Sequence, residues 1–159
     1  MRVLFCDIDG VVNSMRSCMA FGSYPWDVDE ENLKLFDHVA LGLIRQLCKD
    51  GDIKIVLTST WRIGDKVYPK MAKALDLPII DRTSYSLSGG GEYGRRGDEI
   101  AQYLEDHPEI TQYVILDDEV YDMNPEQRKH IVKTDGNNGL SFEKYIKLRK
   151  MFNLSKDLL

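Results

Sequence analysis

The sequence predicts an α/β fold with a mostly parallel sheet, and three observations carry that expectation. Short, unbroken apolar runs recur along the chain, as in strands covered on both faces. Segments of helical period separate these runs. The runs end repeatedly in acids, hydroxyls or cations, and open parallel sheets bind ligands at the carboxyl ends of their strands.

The first strand is Val3 to Cys6, and the acidic stretch Asp7-Ile8-Asp9-Gly10 follows it. Acids at the end of an apolar strand are costly unless a cation or a reaction engages them. Gly10 allows a sharp turn and a close approach to a ligand. An EF-hand reading fails, because its sixth and twelfth positions, counted from Asp7, hold Val12 and Cys18 instead of glycine and glutamate.

Residues 13–28 show no period and read as a loop or flap over the strand end. Asp29 is expected to cap a helix reaching about Lys49, with Leu33, Phe36, Ala40, Leu43, Ile44 and Leu47 on one face and Asp50-Gly51 as its stop. Ile53 to Leu57 form a second strand, rich in β-branched residues, ending in Thr58-Ser59-Thr60-Trp61-Arg62. A short helix from Pro69 to Leu75 and a third strand from Leu77 to Ile80 come next. Residues 81–97, with Gly89-Gly90-Gly91 and Arg95-Arg96-Gly97, read as a mobile loop. Asp98 is expected to cap a helix to about Asp106. Tyr113 to Leu116 form a fourth strand, again ending in acids, Asp117-Asp118-Glu119. A polar turn with Asn124-Pro125, a fifth strand from His130 to Lys133, and a last helix capped by Ser141 complete the chain.

The 159 residues are expected to form one domain, 1–159, large enough for a core. The composition, 43% apolar and 30% charged, gives no reason to invoke disorder. No apolar stretch approaches a membrane span, and the N-terminus enters a charged strand directly, so neither a membrane anchor nor a signal peptide is expected. Cys6, Cys18 and Cys48 show no metal-ligand spacing and read as free thiols of a reducing, cytoplasmic compartment. A formal net charge of −5 argues against broad nucleic-acid binding but leaves room for a local basic site.

Acids from two strand ends suit Mg²⁺, a hard cation that takes one or two carboxylates and keeps waters for a phosphate. Hydroxyls, backbone N–H groups and an arginine suit the phosphate oxygens. In this combination the chain resembles the haloacid dehalogenase superfamily of phosphatases. The resemblance rests on Asp7-Ile8-Asp9-Gly10, Ser59 within Leu57-Thr58-Ser59-Thr60, Arg96, and Asp117-Asp118, in that order. It implies a Rossmann-like sheet of five strands in order 5-4-1-2-3, with helices on both faces.

It also implies a phosphoaspartate mechanism. Asp7 would be the nucleophile and a Mg²⁺ ligand. Asp9 would be the general acid and then the base, and is included among the metal-site residues with Asp117 and Asp118. Ser59 would hold the transferring phosphoryl group, and Arg96 would stabilise its charge. Lys66 and Lys70 remain alternatives to Arg96. Gly10, Thr60, Arg62 and Arg95 are substrate-binding candidates; Arg62 reads equally as a surface ion-pair partner. Trp61 reads as core, and His38, His107 and His130 as structural or exposed. Asp122 reads as part of a solvated turn. Val11 stands where protein-phosphatase members have threonine.

The insertions that carry substrate-selecting caps in this superfamily are short here, which leaves the site open to a bulky substrate. The stretch Ser59-Thr60-Trp61-Arg62, with Arg96-Gly97 and Leu116-Asp117-Asp118, resembles the small phosphatase domains of RNA-repair proteins and polynucleotide 3′-phosphatases. The implied function is a Mg²⁺-dependent phosphomonoesterase acting on a nucleic-acid end or nucleotide. The alternatives are a 5′(3′)-nucleotidase for free nucleotides and a phosphate- or Mg²⁺-dependent binding module without turnover.

Overall fold

The computed structural model describes residues 1–62, 67–84 and 95–155, without the side chain of Arg62. Lys66 and most of the loop expected at 81–97 therefore lie outside the described residues. Five strands, β1 (Arg2–Cys6), β2 (Ile53–Leu57), β3 (Ile79–Arg82), β4 (Gln112–Asp117) and β5 (Ile131–Lys133), form one parallel sheet in the order β3-β2-β1-β4-β5. This is the order 5-4-1-2-3 read from the other edge.

The central strand β1 explains the unbroken apolar runs. Leu4 and Cys6 point to one face, with Ile55, Leu57, Val114 and Leu116, and pack against the helices there. Val3 and Phe5 point to the other, with Val56 and Ile115. Both faces are covered, so both parities of each strand must be apolar. The first face carries α3 (His38–Gly51), α4 (Val67–Leu75) and α6 (Phe142–Met151). The second carries α5 (Arg96–Asp106), through Ile100 and Tyr103.

Several local expectations differ from the structure. The loop expected at 13–28 contains α1 (Met15–Phe21), begun by a capping box between Ser14 and Ser17 and ended by Gly22 at φ 93°. Only Ser17 of that helix is buried, so it carries no apolar stripe to betray it. The single helix expected over 29–49 is two, α2 (Glu30–Leu33) and α3. Asp37 starts the second by accepting from the N–H groups of Val39 and Ala40, while its own N–H donates to the carbonyl of Val12 at 2.8 Å. Phe36, fully buried, fills the break. β3 begins two residues later than expected, because Pro78 lacks an N–H and serves the sheet through its carbonyl, which accepts from Ile55 at 2.9 Å. Among the described residues, no helix is long and apolar enough to cross a membrane.

Candidate active site

The register of the sheet brings the polar strand ends together. Cys6 pairs with Leu57 on one side and Leu116 on the other, so Asp7 follows β1 between Thr58 and Asp117. The N–H of Asp7 donates to Leu116 and that of Thr58 to Cys6, each at 3.0 Å, which carries the ladder up to the site.

Asp7 is 5% exposed and Asp117 is fully buried. Asp7 accepts from the N–H of Ile8 at 2.8 Å and from the hydroxyl of Ser59. The Ser59 hydroxyl oxygen in turn accepts from the N–H of Trp61 at 3.3 Å, so its position is fixed from both sides. Arg96 stands between the carboxylates, with Nη1 3.5 Å from Asp7 Oδ2 and in a direct ion pair with Asp117 Oδ2. It occupies the first residue of α5, where Arg95 rather than Asp98 takes the capping position. Arg95 makes no side-chain cap; instead Asp122 accepts from the N–H of Arg96 at 2.9 Å and anchors the helix start. Asp98 and Glu99 lie in the first turn, favourable against the helix dipole.

One guanidinium for two buried carboxylates leaves the cluster short of positive charge. Burial pushes the Asp7 carboxyl up against the lowering pull of Arg96 and Ser59. Burial and then Asp7 push Asp117 up to about 7, and Asp118 is raised by the same two causes. Burial would depress Arg96, but Asp117 and then Asp7 outweigh it and hold its guanidinium above the usual range.

A cation would relieve this imbalance. Asp7, Asp117 and Asp118 each offer an oxygen, all within 4.8 Å of one another. An all-oxygen set without histidine or cysteine fits a hard divalent ion such as Mg²⁺ better than zinc. Gly10 makes room for the third carboxylate: it sits at φ 70°, and a Cβ there would land on Asp118. The Gly10 N–H donates to Asn13 Oδ1 at 3.2 Å, and its carbonyl accepts from the Thr134 hydroxyl at 2.7 Å.

Asp9 is not part of this cluster. It is exposed, with Oδ1 accepting from Asn13 Nδ2 at 2.8 Å and Oδ2 from Trp61 Nε1 at 3.0 Å. Two donors thus fix its carboxylate, whose charge still reaches Asp7. Trp61 also packs edge-on against Phe36, at 5.8 Å between ring centroids, so it is both a packing residue and an orienter of Asp9. Thr60 is exposed and, with Asp9 and Trp61, lines a cavity of about 510 Å³ beside the site.

Of the remaining candidates, Arg95 is exposed next to Arg96. Lys70 pairs with Asp27 at 2.7 Å, away from the carboxylates, which leaves Arg96 as the described cation among them. His107 and His130 stack on Tyr103 and Tyr113, and His38 lies 2.9 Å from the carbonyl of Leu33, so none enters the site. Asn13 and Asp122 are site-building residues that the sequence reading passed over or discounted.

No curated protein and no solved structure matches the chain significantly. A sequence model of one family, described as the HAD domain in Swiss Army Knife RNA repair proteins, matches residues 3–145. That span takes in β2 to β5, all of β1 after Arg2 and every residue of the carboxylate cluster, and the chain therefore belongs to this family of haloacid dehalogenase-type domains, which is of hydrolase and phosphatase character.

Proposed function

We propose that the chain is a Mg²⁺-dependent phosphomonoesterase that works through a phosphoaspartate and acts on a phosphorylated nucleic-acid end. The observation that carries this reading is the division of labour between two acids two residues apart. Asp7 is buried beside Ser59, Arg96 and Asp117, while Asp9 is exposed and held by Asn13 and Trp61. The RNA-repair description of the family supports the substrate class.

In this reading Asp7 Oδ attacks phosphorus, and the bond from phosphorus to the ester oxygen breaks. Asp9 gives its proton to that leaving oxygen. Water then attacks the phosphorus of the Asp7 acyl phosphate, Asp9 takes the water's proton, and phosphate departs, restoring the Asp7 carboxylate. The Ser59 hydroxyl and the Arg96 guanidinium hold the phosphoryl oxygens during both transfers. Mg²⁺, held by Asp7, Asp117 and Asp118, would supply the charge neutralisation that lets an anionic carboxylate approach an anionic phosphate. Gly10 would admit the substrate phosphate close to the backbone, and Arg95, with Arg62, would meet a neighbouring phosphate.

The test is a screen of purified protein with Mg²⁺ against 3′- and 5′-phosphorylated oligonucleotides, mononucleotides, sugar phosphates and an aryl phosphate. Metal-dependent phosphate release, greatest with an oligonucleotide end, is the expected result. A preference for mononucleotides would make the chain a nucleotidase. Binding of phosphate without turnover of any substrate would overturn the enzymatic reading.

A further inference from the structure

The cavity beside Asp9 has a composition unlike that of a phosphate site. The carboxylate cluster does not line it, and Asp9 does. Its lining includes apolar surface from Trp61, Val67, Met71 and Val28. Pro25 and Trp26 also line it. Among the described residues, the charged side chains that join Asp9 on the lining are Asp27 and Lys70, which neutralise each other at 2.7 Å. Against this described lining a further phosphate meets an acid and a paired lysine, whereas a flat, largely uncharged group meets aromatic and aliphatic surface.

Trp26 is the notable part of that surface. It is 71% exposed, the largest side-chain type left so open, yet its backbone is held firmly. Its N–H donates at 2.9 Å to Oδ1 of Asn32, a residue 1% exposed, and Pro25 before it is buried. An exposed indole on a fixed backbone is a stacking platform that loses little entropy on binding. In the reading proposed above Asp9 hands its proton to the leaving oxygen, and Asp9 lines the cavity, so the cavity adjoins the leaving group.

We propose that this cavity is the leaving-group pocket and that it takes the nucleobase of a nucleoside whose hydroxyl carries the scissile phosphate, with Trp26 as the stacking surface. The proposal rests on the phosphomonoesterase reading and names the group that reading leaves open. The nucleoside can come from a strand terminus or from a free nucleotide, and the chemistry of the pocket is the same for both.

The chain has two tryptophans, and both line this cavity, so intrinsic tryptophan fluorescence reports on it alone. The first measurement uses the metal-free parent, titrated with adenosine and, separately, with ribose. Adenosine should quench and ribose should not. In Trp26→Ala, Trp61 remains as the reporter, and the adenosine affinity should fall about 5- to 150-fold, the range that one base–aromatic stack provides. Trp26→Phe should recover most of it.

The second measurement compares hydrolysis of a 3′-phosphorylated oligonucleotide, the same strand with an abasic last residue, and the corresponding mononucleotide. Trp26→Ala should raise KM for both substrates that carry a terminal base and leave the abasic one unchanged. A lower KM for the strand than for the mononucleotide assigns the pocket to a strand end, and the reverse assigns it to a free nucleotide. Unchanged adenosine binding in Trp26→Ala, or equal quenching by ribose, would overturn the proposal. Hydrolysis of an aryl phosphate together with equal KM for the base-bearing and abasic strands would overturn the pocket and leave the phosphatase reading standing. Quenching by adenosine with no hydrolysis of any phosphomonoester would do the opposite.

Discussion

Arg96→Met tests the charge balance of the site. Methionine keeps an unbranched apolar stem and removes the cation. The Arg96 side chain is 15% exposed, and the two carboxylates it serves are 7% and 0% exposed, so water screens the arrangement little. Breaking a buried pair by removing one partner costs about 3–5 kcal/mol. The lower end applies here, because Asp117 already stands at about 7 and can take up a proton in place of its lost partner. A loss of about 3 kcal/mol lowers Tm by roughly 6–12 °C in a chain of this size. The assay is a thermal melt in chelator at pH 8, then at pH 5.5, then at pH 8 with excess Mg²⁺.

The sign of the pH arm follows from the raised carboxyl. Between its unfolded value and about 7, the native state holds a proton on Asp117 that the unfolded chain has released. Stability from this group is therefore present at low pH and lost as pH rises through about 7. The gap between variant and parent should shrink at pH 5.5, where Asp117 is neutral. It should also shrink with Mg²⁺, because a cation on Asp7, Asp117 and Asp118 restores the missing charge; binding to the native state alone adds about 2.7 kcal/mol at a hundred times Kd. A fall of less than 2 °C in chelator, roughly 1 kcal/mol or less on the same scale, would refute the charge argument. A large fall that neither acid nor Mg²⁺ narrows would mean that Arg96 acts by packing.

Two further perturbations address the neighbouring parts of the site. Trp61→Phe keeps a ring against Phe36 and removes the N–H that holds Asp9 Oδ2; kcat on an alkyl phosphate should fall about 10- to 100-fold, as for one hydrogen bond to a charged group, while an aryl phosphate with a good leaving group should change much less. Equal losses on both substrates would make Trp61 a structural residue only. Gly10→Ala forces a Cβ into a left-handed turn and onto the Asp118 carboxylate, so calorimetry should show weakened Mg²⁺ binding in a protein destabilised by about 1 kcal/mol or more; unchanged affinity would remove Asp118 from the metal set.

The legible parts of the sequence were those governed by one strand or one helix at a time. β1, β2 and β4 stand out because both faces are covered, which makes their runs apolar on both parities, with Lys54 of β2 as the exception. Their polar ends marked Asp7, Ser59 and Asp117 as neighbours once a parallel sheet was assumed. The strand order itself came from the family resemblance, since apolar runs do not say which strands pair. What escaped was structure whose partners lie elsewhere in the chain. α1 buries only Ser17, so no period announces it. The Asp122 bond to the Arg96 N–H spans two loops, and nothing in a polar turn separates that role from simple solvation. Trp61 was legible as an apolar body but not as a donor, because its ring packs on Phe36 while its N–H serves Asp9. Asn13 lies three residues beyond Gly10, and that spacing is the one local signal that could have found it.

The most direct test of the account is to trap the intermediate on Asp7. The parent protein, turning over a 3′-phosphorylated oligonucleotide with Mg²⁺, is quenched with borohydride, which reduces an acyl phosphate to the alcohol, and its peptides are analysed by mass spectrometry. Reduction at Asp7 alone, absent without substrate and absent in Asp7→Asn, is the predicted result. Phosphate release that continues with no reduced carboxylate, or with reduction at Asp117 or Asp118 instead, would contradict it.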